Sequence, residues 1–268
     1  MKIDLHLHSN ASDGSDCPEK IVDIALSKGI DVISITDHDT IDGVESAMAR
    51  GREVGVQVIS GIEMSAFSSY EVHVLGYNIR LDDTMLCAKL KELKDRRRER
   101  ALRIADKLAE YKIYIDKDEL LAYDCVGRPH IAKLLIKGGY VGSVQEAFDR
   151  YLGKNGIAYI KSDRLTPLSA VKLIKDAGGQ AVIAHPLIFL TKGVIEDLIS
   201  GLKNYGLDGI EAYYPSHSLG DTKKLLAIAD KYKLIATGGT DYHGVIRNTE
   251  IGSVKWTPDN FTARRLGI

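Results

Sequence analysis

The chain opens on a strict alternation. Ile3, Leu5 and Leu7 are apolar and Asp4, His6 and His8 are polar, the period-two pattern of a strand. His6 and His8 share one face, one pleat apart, where two imidazoles can reach one metal ion. The period then changes. Ile21, Ile24, Ala25 and Ile30 mark the inner side of a helix that Pro18 starts and Gly29 ends. Residues 31–36 read as a buried strand ending in Asp37-His38-Asp39, and a second helix runs from about Ile41 to Val54. Val56, Val58 and Ile59 make another strand, ending in Gly61-Ile62-Glu63, and residues 71–77 make a fourth with His73 inside the run.

From about Leu81 to Ser162 the β/α alternation stops. Leu86, Leu90, Leu93, Ala101, Ile104 and Leu108 recur at three- and four-residue spacing and predict one long amphipathic helix. Shorter helical patterns follow at 117–123, 128–137 and 143–152. Each is short and its apolar face needs a partner. Residues 81–162 therefore read as a helical insertion in a discontinuous domain made of 1–80 and 163–268. The alternation resumes with a helix from about Thr166 to Ala177 and a strand at 181–184 that ends in His185-Pro186. A strand at 209–212, a helix at 221–232 and a strand at 234–237 lead into Gly238-Gly239-Thr240-Asp241-Tyr242-His243-Gly244. Such regular alternation predicts an α/β chain folded as a parallel barrel.

Composition narrows the setting. Over 268 residues the formal net charge is −1, so no global field draws the chain to duplex nucleic acid or an anionic membrane. Any attraction to phosphate must be local. Cys17, Cys87 and Cys125 are far apart, which suits a reducing compartment and no disulfide framework. With no apolar signal region and no run of spanning length, a cytoplasmic protein is expected.

Strand ends and adjoining turns carry the candidate chemistry: His6, His8, Asp13, His38, Glu63, His185, Asp241 and His243, with His73 in addition. In a parallel barrel the C-terminal strand ends converge on one face, so residues scattered along the sequence would form a ring. Imidazole and carboxylate ligands without thiolate favour zinc, manganese or iron(II). Clustered cations suit phosphate hydrolysis: they clamp oxygens that gain negative charge, and a metal-bound water that has lost its proton supplies the nucleophile. Asp37, adjoining a ligand, is expected to orient an imidazole.

His6-Leu7-His8-Ser9 with Ser12-Asp13-Gly14, Ile35-Thr36-Asp37-His38-Asp39-Thr40, Gly61-Ile62-Glu63, Ala184-His185-Pro186 and Gly239–Gly244 together resemble the motifs of the PHP (polymerase and histidinol phosphatase) family, in the family's order. The resemblance implies a distorted (β/α)7 barrel with three divalent metal ions. His6, His8, Glu63 and Asp241 would hold the first ion. Glu63 would bridge to a second held by His73 and His185, and Asp13, His38 and His243 would hold the third. Some members carry a histidine where Asp13 stands here.

Within the insertion, Gly127-Arg128-Pro129-His130-Ile131-Ala132 and Glu146–Gly153 resemble the family's nucleotide phosphoesterases. That branch removes phosphate from mononucleotides and nucleoside 3′,5′-bisphosphates, and some members trim short RNA from its 5′ end. The insertion is expected to act as a cap whose Arg128 and His130 serve substrate phosphate and leaving group. His217, in the loop after the strand ending at Glu211, is a candidate for lining the substrate pocket, with a plain surface loop as the other reading. The basic run Lys94–Arg100 reads as a solvated helix face, although Arg97 falls in the apolar column. Two alternatives stand beside this reading: a histidinol-phosphate or other sugar-phosphate phosphatase, and a PHP module that binds without catalysing.

Overall fold

Among the described residues, seven strands form one strongly curled sheet in sequence order: β1 (Ile3–Leu7), β2 (Val32–Ile35), β3 (Gln57–Phe67), β4 (Glu71–Tyr77), β5 (Gln180–Ile183), β6 (Leu207–Tyr213) and β7 (Ile235–Gly238). This is a computed structural model, and it describes every residue except Asp124 and Ser162. Ser162, the expected end of the insertion, thus lies outside the described residues. The described α-helices are α1 (Pro18–Ser27), α2 (Val44–Val54), α3 (Thr84–Glu110), α4 (Lys117–Leu121), α5 (Arg128–Lys137), α6 (Val144–Ala147), α7 (Pro167–Asp176), α8 (Lys192–Lys203), α9 (Leu219–Tyr232) and α10 (Asn260–Leu266). None of the described helices is long and apolar enough to cross a membrane. Two compact units emerge, Met1–Cys87 with Arg164–Ile268, and Ala88–Asp163.

The first unit is the α/β barrel, and it departs from an all-parallel sheet at one strand. β4 runs antiparallel to both β3 and β5, whereas the other neighbours are parallel. The cause is the link between β3 and β4, a turn of three residues too short for the helical crossover that parallel strands require. β3 is also longer than expected, at eleven residues, so Glu63 sits within it and pairs with Leu75. Because β4 is reversed, its beginning rather than its end reaches the site, which is why His73 lies near the start of its strand, opposite Ser65.

Curling brings the two edges together. Leu7 bridges Tyr242, and the His8 amide donates to the Tyr242 carbonyl at 2.9 Å. Gly239 makes this approach possible: a Cβ there would lie 2.3 Å from the Cβ of His6. Helices α1 and α2 cover β1–β3 through Ile21, Val22, Ala25 and Ala47 packed against Leu7, Ile33 and Ile35. A second cluster joins Leu5, Leu75, Tyr77, Val182, Ile235 and Trp256, and the Tyr77 hydroxyl donates to the Leu5 carbonyl at 3.0 Å. Hydroxyl and ring are thereby both satisfied in a dry interior.

The second unit is helical. Ile104 and Leu108 of α3 meet Leu120, Ile131, Leu135, Ala147 and Leu152 in one buried cluster. The span predicted as a single helix over 143–152 divides into α6 and a π-helical turn, Phe148–Leu152.

Candidate metal centre

The site grows from β1 and the turns after β1, β2 and β7. His6 and His8 are fully buried. Beyond them, Asp37 accepts from the Ser9 amide at 2.7 Å, the Ser9 hydroxyl at 2.6 Å and the Ser12 hydroxyl at 2.5 Å. Both its oxygens are taken by this serine loop. Asp37 therefore sets the turn that carries Asp13, and the expectation that it orients an imidazole is corrected: its hydrogen bonds go to Ser9 and Ser12. Gly14 fits against the His8 carbonyl, where a Cβ would come within 2.3 Å. After β2, Asp39 adopts φ 53° and accepts from the Ser65 amide at 2.8 Å, while its own amide donates to the Glu63 carbonyl at 2.9 Å. His38 is thus pinned beside Glu63.

All nine expected ligands converge in the barrel unit. Three groups have donor atoms lying within 4.8 Å of one another: His6, His8, Glu63 and Asp241; His8, Asp13, His38 and His243; and His38, Glu63 and His73. His185 joins through Nε2, 2.9 Å from Glu63 Oε1. The same oxygen is 2.9 Å from His73 Nδ1, while Glu63 Oε2 is 3.2 Å from His8 Nε2, 3.2 Å from His38 Nδ1 and 3.4 Å from His6 Nε2. One carboxylate thus faces donors on both sides.

The electrostatics are those of an anionic cluster balanced by imidazoles. Burial opposes the charge on Glu63, yet His38, His73 and His6 hold its carboxyl well below the usual range. Asp241 and Asp13 are held down in the same way, against burial, by His6 and His8 and by His38 and His243 respectively. In return, and also against burial, Asp241 and Glu63 push His8 up to about 10, and Glu63 and Glu71 push His73 up to about 9. His38 goes the other way, to about 3, because burial outweighs its carboxylate neighbours.

The donors fit divalent cations. His8 Nδ1, His243 Nε2, His185 Nδ1 and Glu63 Oε2 are buried without a hydrogen-bond partner, a costly state that a bound cation relieves at the atoms facing the cluster. His243 Nδ1 lies 2.8 Å from the Asp241 carbonyl and must donate to it, so Nε2 is left with a lone pair.

A family model described as the PHP domain matches residues 4–158. The chain belongs to the PHP family. Among its relatives are a phosphoribosyl 1,2-cyclic phosphate 1,2-diphosphodiesterase of Eggerthella lenta, 35% identical over 90% of this chain and 94% of that protein. A 5′-3′ exoribonuclease of Haemophilus influenzae is 35% identical over 90% of each. A 3′,5′-nucleoside bisphosphate phosphatase of Chromobacterium violaceum is 33% identical over 90% of this chain and 87% of that protein. Among solved structures, an amidohydrolase from Chromobacterium violaceum with bound sulfate and no metal superposes with a TM-score of 0.87, at 31% identity, over 96% of this chain and 92% of that one.

Three residues of this PHP site escaped the sequence reading as participants. The Tyr214 hydroxyl donates to Asp241 Oδ2 at 2.7 Å, and Arg247 pairs with the same oxygen, leaving Oδ1 turned toward His6 and His8. Glu211 is the third, at 3.0 Å from His6 Nδ1. Its place at a strand end, like those of other candidates, was the available signal. Among the described residues, no hydrogen bond or ring contact joins His217 to the nine candidate ligands. Its Nδ1 lies 3.1 Å from the Ala212 carbonyl, and its ring packs on Tyr214 with centroids 5.2 Å apart. In the helical unit, Arg128 donates to the Leu152 carbonyl at 3.3 Å and lies over the Phe148 ring. His130 is buried, stacks on Tyr123 and accepts from the Gly127 amide through Nδ1 at 3.0 Å.

Proposed function

We propose that the protein hydrolyses phosphate esters of nucleotides, with mononucleotides and nucleoside 3′,5′-bisphosphates as substrates and the 5′ ends of short RNA as further ones, using three divalent transition-metal ions, manganese, iron or zinc. The chain is a metal-dependent phosphoesterase of the PHP family. The observation that carries the reading is Glu63, one oxygen of which faces His73 and His185 while the other faces His6, His8 and His38, an arrangement suited to adjoining cations. Bound cations would neutralise phosphate oxygens and bring the ionisation of a water toward neutral pH. The chain's own part is to hold them in place: Asp37 fixes the first loop, and Tyr214 and Arg247 orient Asp241.

Arg128 and His130 are assigned to the substrate phosphate and the leaving group. A guanidinium offers a planar fork matched to phosphate oxygens. With Nδ1 of His130 occupied as an acceptor, its proton sits on Nε2, and an imidazole N–H is a suitable proton donor to a leaving alkoxide. His217 is assigned to substrate contact, its Nε2 being buried without a partner.

Nucleotide substrates are supported by the exoribonuclease and bisphosphate phosphatase relatives, each similar over nine-tenths of this chain. A second reading, a cyclic phosphoribosyl phosphodiesterase, is favoured by the equally similar Eggerthella lenta protein. The test is to reload chelator-treated protein with each metal in turn. It is then assayed on adenosine 3′,5′-bisphosphate, AMP, 5′-phosphorylated RNA, phosphoribosyl 1,2-cyclic phosphate and histidinol phosphate. The proposal predicts the highest kcat/KM on one of the first three. Preference for either of the last two would replace the nucleotide assignment, and no turnover with any metal would favour a binding module.

A further inference from the structure

We infer that Glu211 is a positioning residue that ties two of the ligand groups together, holding the ring of His6 with one oxygen and the backbone of His185 with the other. The inference rests on the reading above that both histidines serve metal. Glu211 belongs to none of the donor groups. It lies in β6 with no exposed surface, and its two contacts use both oxygens: Oε1 is 3.0 Å from His6 Nδ1, and Oε2 accepts from the His185 amide at 2.7 Å. The parallel register that pairs Ile183 with Ile210 brings the end of β5 beside the Glu211 carboxylate.

Each contact has a distinct consequence. An ionised carboxylate only accepts, so the His6 proton must sit on Nδ1. When a cation displaces the second proton, the lone pair is therefore on Nε2, which already faces the cluster, 3.4 Å from Glu63 Oε2 and 3.6 Å from Asp241 Oδ1. A metal-ligating histidine generally has its other nitrogen fixed in this way. The second contact acts on the backbone. His185 takes φ 22° and ψ 55°, an unfavourable conformation for a residue with a Cβ, and Pro186 follows with no N–H of its own. The bond from Glu211 holds this turn, and the turn aims His185 Nε2 at Glu63 Oε1. A glutamine of the same shape cannot serve both. If its oxygen meets His185, its amide faces Nδ1 of His6 and favours the Nε2–H tautomer, which blocks ligation. If the amide is flipped, its N–H groups oppose the His185 amide.

Zinc titration of chelator-stripped wild type and Glu211→Gln tests this, together with ¹H–¹⁵N imidazole spectra of the zinc-loaded proteins. Wild type should show a hydrogen-bonded Nδ1–H on His6. Glu211→Gln should lose that signal and bind zinc about 10–100-fold more weakly at the ions served by His6 and His185. The ion served by Asp13, His38 and His243 should be retained. A purely structural role would lower the melting temperature of the metal-free variant and leave zinc affinity and the His6 tautomer intact; that result overturns the inference. So does zinc-loaded wild type lacking a proton on His6 Nδ1, a measurement that stands even if the variant does not fold. Wild type that binds no metal would instead remove the metal reading itself.

Discussion

Raising the pH should destabilise the metal-free protein over a window where most proteins are indifferent. His73 and His8 titrate near 6.5 when unfolded. In the folded barrel, burial opposes their charge, but Glu63 and Glu71 push His73 up to about 9, and Asp241 and Glu63 push His8 up to about 10. A folded value above the unfolded one means the folded state binds the proton more tightly. The resulting stability is fully present below about pH 6.5 and is lost as pH rises through 9 to 10. At about 1.4 kcal/mol per unit, the His73 shift alone corresponds to roughly 3 kcal/mol. The His8 shift taken alone would correspond to roughly 5 kcal/mol, but the two rings share Glu63, so the gains do not add, and a total loss of about 3–5 kcal/mol is expected. Urea denaturation of chelator-treated protein, followed by circular dichroism between about pH 6.5 and 10, reads this loss as a falling midpoint at constant slope. Replacing His73 with glutamine should make the profile shallower, leaving the part that His8 and His6 carry. With metal bound, cations replace the protons and ligation requires neutral rings, so the fall should vanish. A metal-free midpoint that stays level or rises across the window would refute the reasoning.

Other outcomes follow from the same geometry. Asp241→Ala removes the carboxylate that His6, His8, Tyr214 and Arg247 all face, and should abolish turnover and lower metal content by mass spectrometry while the protein stays soluble. Arg128→Ala should raise KM or lower kcat by about tenfold or more with metal content unchanged, the scale of a charged hydrogen bond at roughly 1.5–3 kcal/mol. His130→Ala should lower kcat, with partial recovery on aryl phosphates whose leaving group needs no proton. Ile104→Ala, which opens a cavity in the core of the helical unit, should cost about 2–5 kcal/mol in chemical denaturation.

Much of the barrel could be read from the chain because its periodicities are local. Ile21, Ile24 and Ala25 needed only their own spacing to specify a helix, and His6 and His8 needed only the pleat. The nine candidate ligands could be picked out because each is an imidazole or carboxylate at or near a strand end. Helix α8, with Ile195, Ile199 and Leu202 at helical spacing, carries a local signal of the same kind as α1. Less legible were features that depend on a partner distant in sequence. The role of Asp37 was misread because its contacts, Ser9 and Ser12, lie 28 and 25 residues away. Proximity in sequence to His38 suggested a different partner.

The direction of β4 shows where pattern reading stops and physics takes over. Alternation is the same whichever way a strand runs, so nothing in residues 71–77 distinguishes the two senses. The deciding feature is the link before it: Ser68–Tyr70 cannot hold a crossover, so the chain must turn back. Once it does, a candidate ligand at the start of β4 falls on the same face as the candidates at the ends of β1 and β2. His73 inside a run and His38 after one are then the same solution. The two glutamates make the complementary point. Glu63 and Glu211 are both buried carboxylates on barrel strands, and composition and spacing treat them alike. What separates them is the company each oxygen keeps. Glu63 meets ring nitrogens on both sides, whereas Glu211 spends one oxygen on a backbone N–H. The first can offer lone pairs to cations; the second is committed to holding the protein that does.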